Sequence, residues 1–226
     1  MSRREYGQEC SFATALDTVG ERWSLLIVRE LLLGPLRFSD LARLVGNAPT
    51  DVLTKRLRDL EADGIVQRRQ LDPPASVTIY ELSALGRGLE GPLVAMGRWG
   101  MQLQRLPDVV DLPATSLANA LRAILQPAPE VAMTIALRSQ GHDSHVRLED
   151  GGVIAARGEA PTPDLTLTGT PADVLAGLVV GGPAEERIEV QGNRSLIEQL
   201  RAMVVIPDRL REEATAAFAA PVGSGR

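Results

Sequence analysis

The stretch Thr50-Asp-Val-Leu-Thr-Lys-Arg-Leu-Arg-Asp-Leu-Glu-Ala-Asp-Gly64 decides how the first half of the chain is read. Leu53, Leu57 and Leu60 recur at i, i+4 and i+7, the spacing of one buried face on a helix. Thr50 is read as the cap of that helix and Gly64 as its stop, so the expected span is 50–63. The opposite face then carries Asp51, Thr54, Lys55 and Arg58, with Arg56 at the flank. A cationic face on a lone helix is commonly no more than solvated, and Asp51, Asp59, Glu61 and Asp63 dilute the charge here.

Working outward, the order of parts gives that face a purpose. Helices are expected over about 11–19 and 23–33, the second apolar nearly all round, and Gly34-Pro35 stops it. A third begins at or just before Ser39 and runs to about Val45. Gly46-Asn-Ala-Pro49 is a tight turn into helix 50–63. Two short helices joined by a glycine-containing turn make a helix-turn-helix. Behind it, Ile65–Leu71 and Val77–Leu82 read as strands joined by the Pro-rich Asp72-Pro-Pro-Ala-Ser76, a hairpin placed as a wing. On this reading Thr50 and Thr54 lie where base edges are reached. Lys55, Arg56 and Arg58 suit phosphate oxygens or guanine, Arg68 and Arg69 suit the backbone or minor groove, and Arg37, Ser39 and Asp51 are further expected DNA contacts.

Several runs here resemble the HxlR family of winged-helix regulators. They are Cys10-Ser-Phe-Ala-Thr-Ala-Leu-Asp-Thr-Val-Gly-Glu-Arg-Trp23, Leu25–Pro35, Arg37-Phe-Ser-Asp-Leu41, Leu53–Val66 and Tyr80-Glu-Leu-Ser-Ala-Leu-Gly86, within about residues 7–105. Ser11 departs from the pattern, where the family usually has proline. The resemblance implies a homodimer on a pseudo-palindromic double-stranded DNA site, with repression as the default sign. A helix expected over about 83–105 supplies a stripe of Leu85, Leu89, Leu93, Met96, Gly100 and Leu103, which serves a dimer seam or its own core. In some members the matching cysteine senses electrophiles or oxidants. Cys10 at a helix N-terminus fits a lowered thiol pKa, and equally an inert, half-buried cysteine.

The whole chain of 226 residues carries a net charge of −5, which argues against nucleic acid until it is divided. Residues 1–106 hold 14 Lys+Arg against 13 Asp+Glu, and residues 107–226 hold 10 against 16. The acidity belongs to the second half, so a basic face in the first remains open. With seven aromatic side chains in all, the cores must be built mainly from Leu, Val, Ile and Ala. No signal-like or membrane-spanning run is read, and the single cysteine fits a reducing, cytoplasmic setting.

The expected domains are 1–106 for DNA binding and dimerisation, a linker at 107–114, a second domain at 115–220 and a disordered tail at 221–226. The second domain alternates β-branched runs with helices, an α+β layer with helices on one side of a sheet. The runs Pro163–Leu175 and Ile188–Asn193 resemble the sterol-carrier-protein-like fold. That resemblance implies a small apolar effector held near Leu167, Leu175, Leu178, Ile197 and Leu200, although the same residues suit a packed core. His142 and His145 lack the companions of a metal site, no catalytic motif is present, and neither cofactor nor enzymatic activity is expected. The rival reading is a lipid- or small-molecule-binding protein whose winged helix makes protein contacts.

Overall fold

The structure, a computed structural model, describes residues 5–46, 48–72, 76–105 and 112–218. Asn47 of the expected turn, the wing-tip residues 73–75, most of the expected linker and the tail from 219 lie outside the described residues. The chain forms two compact units, Met1–Leu93 and Val94–Arg226.

In the first unit, α1 (Ser11–Val19), α2 (Ser24–Leu31), α3 (Phe38–Val45) and α4 (Thr50–Ala62) surround a small sheet. Its strands are β1 (Leu36–Arg37), β2 (Val66–Gln70) and β3 (Thr78–Leu82), all antiparallel, in the order β1-β3-β2. Ile27, Val28, Leu41, Leu53, Leu57 and Leu60 are almost wholly buried in one core, to which Trp23 and Phe38 add their rings. Trp23 holds a left-handed backbone (φ 81°) ahead of α2, with the Arg22 guanidinium 4.8 Å from its ring centroid.

Two local expectations change. Thr50 is the first residue of α4 and not its cap; Pro49 occupies the cap position, with no side-chain hydrogen bond. Proline has no N–H to lose and a φ suited to helix entry, so it serves there. The single helix expected over 83–105 is two: α5 (Ala84–Arg87) and α6 (Glu90–Gly100). Gly86 explains part of the break. It is pressed against the backbone end of α4, where an added Cβ would stand 2.2 Å from the Ile65 carbonyl oxygen. Ser83 secures the same junction, its N–H donating to Ile65 O (3.0 Å) and its Oγ to Gly64 O (2.6 Å). Leu89 and Leu93 pack on the core, whereas Leu85, Met96 and Leu103 are exposed, so the apolar stripe splits between two surroundings.

In the second unit, α7 (Leu117–Ile124) follows a short 3-10 turn. The strands β4 (Met133–Ser139), β5 (His142–Glu149), β6 (Gly152–Arg157), β7 (Leu165–Thr168) and β8 (Glu189–Gly192) form one sheet ordered β6-β5-β4-β7-β8. Only β4 and β7 run parallel. Gln140-Gly141 and Asp150-Gly151 turn the two hairpins, all four residues at positive φ as two-residue hairpin loops require. The helices α8 (Pro171–Val179), α9 (Ser195–Ala202) and α10 (Asp208–Phe218) complete the unit. Thr170 caps α8 by accepting from the Asp173 N–H at 3.1 Å. On β5, Ser144, Val146 and Leu148 are buried while their neighbours are more open, the alternation of a sheet with one covered face. The helix α10 was not expected from the sequence.

Candidate nucleic-acid interface

Burial of Leu53, Leu57 and Leu60 fixes the roll of α4 and decides which side chains it shows. Asp51, Lys55 and Arg58 emerge one turn apart along its exposed side, with Thr50 exposed at the start. Thr54 is half-buried and its Oγ1 donates to Thr50 O at 2.7 Å, a bond that a base edge would have to share or displace. Arg37 and Ser39 are exposed at the end of β1 and the start of α3. On β2, Gln67, Arg68, Arg69 and Gln70 are all exposed.

The cations differ sharply in how they are held. Asp59 accepts from both Lys55 Nζ and Arg56 Nη1, each at 2.9 Å. Arg56 also meets Glu21 at 3.4 Å, and its side chain is only 14% exposed. Two carboxylates and partial burial bind Arg56 to the protein itself, leaving it poorly placed for phosphate. Arg69 forms a two-point pair with Glu81 across the hairpin, Nε to Oε1 at 3.1 Å, and the Glu81 side-chain hydrogen bond raises its pKa. Arg37, Arg58 and Arg68 are exposed and have no carboxylate partner among the described residues. Asp59, which the sequence marks only as a diluting charge, is the organiser of this face. Its i+4 and i+3 spacing from Lys55 and Arg56 is the signal that could have shown it.

This arrangement suits a polyanion approached along α4 and β2. Three cations face solvent, three more (Lys55, Arg56 and Arg69) are held in ion pairs, and the apolar side is fully used inside. The comparisons with known proteins fall on the same region. The HxlR-like helix-turn-helix family model matches residues 18–107. The uncharacterized HTH-type transcriptional regulator YtcD of Bacillus subtilis is 37% identical over 100 residues, which span 44% of this chain and 78% of that protein.

The chain belongs to the HxlR-like helix-turn-helix family.

A second relative, the uncharacterized HTH-type transcriptional regulator Rv3095 of Mycobacterium tuberculosis, is 37% identical over 108 residues, 48% of this chain and 66% of its own length. Among solved structures, that of the HTH-type regulator ytcD shares 36% identity, covering 42% of this chain and 96% of that one with a TM-score of 0.40. The oxidized redox regulator HypR shares 32%, covering 42% and 98%, with a TM-score of 0.39. The HxlR-like match thus ends at residue 107 and leaves the sheet of the second unit to be read on its own.

Cys10 stands at the N-cap of α1 and is exposed. The backbone N–H groups of Ala13 and then Phe12, at the open start of α1, lower its pKa, although its sulfur accepts no capping hydrogen bond. In the second unit, Leu167, Leu175, Leu178, Ile197 and Leu200 are at most 7% exposed. A cavity of about 680 Å³ lies elsewhere, lined by the first turn of α8 together with Gln140, Arg187 and Phe218, and by none of those five. His142 and His145 both stand on β5, and no cluster of metal-ligating side chains occurs among the described residues. No helix among them is long and apolar enough to cross a membrane.

Proposed function

We propose that this chain is a DNA-binding transcriptional regulator that sets α4 in the major groove and lays the β2–β3 hairpin on the flanking backbone. The observation that carries this reading is the exposed Lys55–Arg58 edge, turned outward because three leucines are turned in. Thr50, Asp51 and Thr54 sit nearest the helix start, where base edges are contacted. Lys55, Arg58, Arg37 and Arg68 bind phosphate or guanine, Ser39 assists at the backbone, and Arg56 and Arg69 act mainly by holding the helix and wing in shape. The regulator works as a homodimer on a pseudo-palindromic operator, with repression the default outcome. Exposed Met96, Trp99 and Leu103 support a partner surface at the end of α6 and just beyond it.

The domain bounds 1–106 and 115–220 belong to this proposal, as does the sterol-carrier-protein-like character of the second domain. The latter is supported by a five-stranded sheet with buried leucines on one face and helices after β7. On this reading the second domain senses a small effector or supports assembly.

The test begins with genomic DNA capture by the purified protein, followed by titration of a captured fragment at several salt concentrations. Lys55→Glu with Arg58→Glu lowers affinity more than tenfold and flattens the log–log salt slope by about 0.9 for each phosphate no longer neutralised. A folded double variant that binds the fragment normally refutes this docking. A second reading is favoured by the exposed, acidified Cys10 thiol: an electrophile-sensing switch. A quinone then releases DNA from the native protein and not from Cys10→Ser; equal release from both discards the switch.

A further inference from the structure

We propose that Asp51 is the specificity-determining residue of the α4 interface, accepting a hydrogen bond from the groove-facing N4 amine of a cytosine in each half-site. This inference rests on the docking of α4 proposed above and names the base that its leading turn selects. Asp51 is exposed on the same side of α4 as Lys55 and Arg58, one and two turns ahead of them. Those cations answer to phosphate or guanine. An ionised carboxylate is an acceptor only and needs a donor.

Nothing in the first unit supplies that donor. The Asp51 carboxylate has no hydrogen bond or ion pair among the described residues, and the cap position of α4 is held by Pro49. Lys55 stands four positions on, the spacing of a helical ion pair, but its ammonium turns the other way, to Asp59 at 2.9 Å. Asp51 therefore reaches DNA unneutralised. Duplex DNA carries one negative charge per about 1.7 Å of its axis, so this carboxylate weakens every complex in which no base donor meets it. Such a residue contributes discrimination more than affinity. An acid in the first turn also complements the helix dipole, but that role is blind to base sequence.

Thr54 adds an independent sign of the same polarity. Its hydroxyl hydrogen is committed to the Thr50 carbonyl at 2.7 Å, so only the lone pairs of Oγ1 remain for a base. Asp51 and Thr54 are three positions apart and share a face of the helix. The front of α4 thus offers acceptors, and the turns behind it offer donors. Major-groove edges sort against that front. Guanine presents two acceptors, N7 and O6, and thymine presents O4 and a methyl group. Adenine sets its N7 acceptor beside the N6 amine, where it repels the second carboxylate oxygen. Cytosine presents its N4 amine with no acceptor beside it.

The test is competition binding of the full chain to a captured genomic fragment, footprinted and rebuilt with each of the four base pairs at every half-site position. The native chain favours cytosine at one position by about tenfold, the size of one specific base contact. N4-methylcytosine there, whose methyl group replaces the groove-facing N–H, loses the advantage. Asp51→Ala levels the four bases at that position, leaves the other positions alone and binds unrelated duplex about two- to threefold more tightly. Asp51→Asn shifts the preference to adenine, because an amide pairs with N6 and N7 together. Both substitutions change an exposed side chain, so the fold is kept. The inference is overturned if Asp51→Ala keeps every base preference, if it weakens all sequences equally, if the position it controls prefers guanine or thymine, or if N4-methylcytosine binds as well as cytosine. In each of those cases the native chain still binds the fragment and the regulator reading stands. A native chain that retains no DNA removes both.

Discussion

The two units divide their arginines differently, although both contain arginine–carboxylate pairs. Along α4 and β2 the guanidinium groups meet carboxylates or solvent: Arg56 and Arg69 are paired, Arg58 and Arg68 exposed. In the second unit Arg98, Arg122, Arg201, Arg209 and Arg211 each donate to main-chain carbonyls. Arg211 spans the Val179 and Val204 carbonyls, and Arg98 those of Ala123 and Leu125. Those donors are spent on carbonyls of α7, α8, β6 and the loops beside them, which leaves fewer of them for a phosphate. Net charge by halves therefore understates the contrast. The first unit is nearly neutral by count and yet offers cations outward, whereas the second is acidic and keeps several of its cations inside.

If this contrast is right, exchanging roles has unequal effects. Arg122 is 5% exposed and donates to Ala155 O at 2.9 Å. Arg122→Ala removes a charged hydrogen bond and leaves a void, costing about 2–3 kcal/mol in chemical denaturation. DNA affinity at native conditions stays within about twofold; a variant of unchanged stability breaks the comparison. Arg58→Ala does the reverse. Stability moves by no more than about 0.5 kcal/mol, while affinity for a captured fragment falls about five- to tenfold and the salt slope drops by about 0.9. The smallest effect sharpens the picture within the first unit. Asp59→Asn releases Lys55 and loosens Arg56, so DNA binding tightens about two- to threefold with stability changed by less than about 0.5 kcal/mol. Weaker binding by this variant would show that Asp59 positions those cations for DNA and does not compete for them.

Local periodicity made the helix-turn-helix legible. The leucines of α4, the glycine after it and the flanking strands each signal within a few residues, and the structure reproduces their order. The break between α5 and α6 was hidden because Gly86 answers to the Ile65 carbonyl, twenty-one positions earlier, and not to its own helix. The fate of Arg56 was hidden for the same reason, since Glu21 reaches it from before α2. The helix α10 was readable, with Leu210, Ala214 and Phe218 recurring every fourth residue and all buried. The cavity was not. Its walls come from positions between 112 and 218, and apolar spacing pointed instead to leucines that fill the core. Spacing reports which side chains turn inward, and packing alone decides whether space is left among them.

The stitch made by Ser83 gives the first unit a mechanical property. Its backbone and hydroxyl grip the last carbonyls behind α4, and the bare Gly86 lets α5 rest directly on them. Torque applied to α5 therefore arrives at the rear of α4 without travelling through the wing. The pitch of the groove-facing helix is steered from its tail, like a rudder, by a segment nineteen residues downstream.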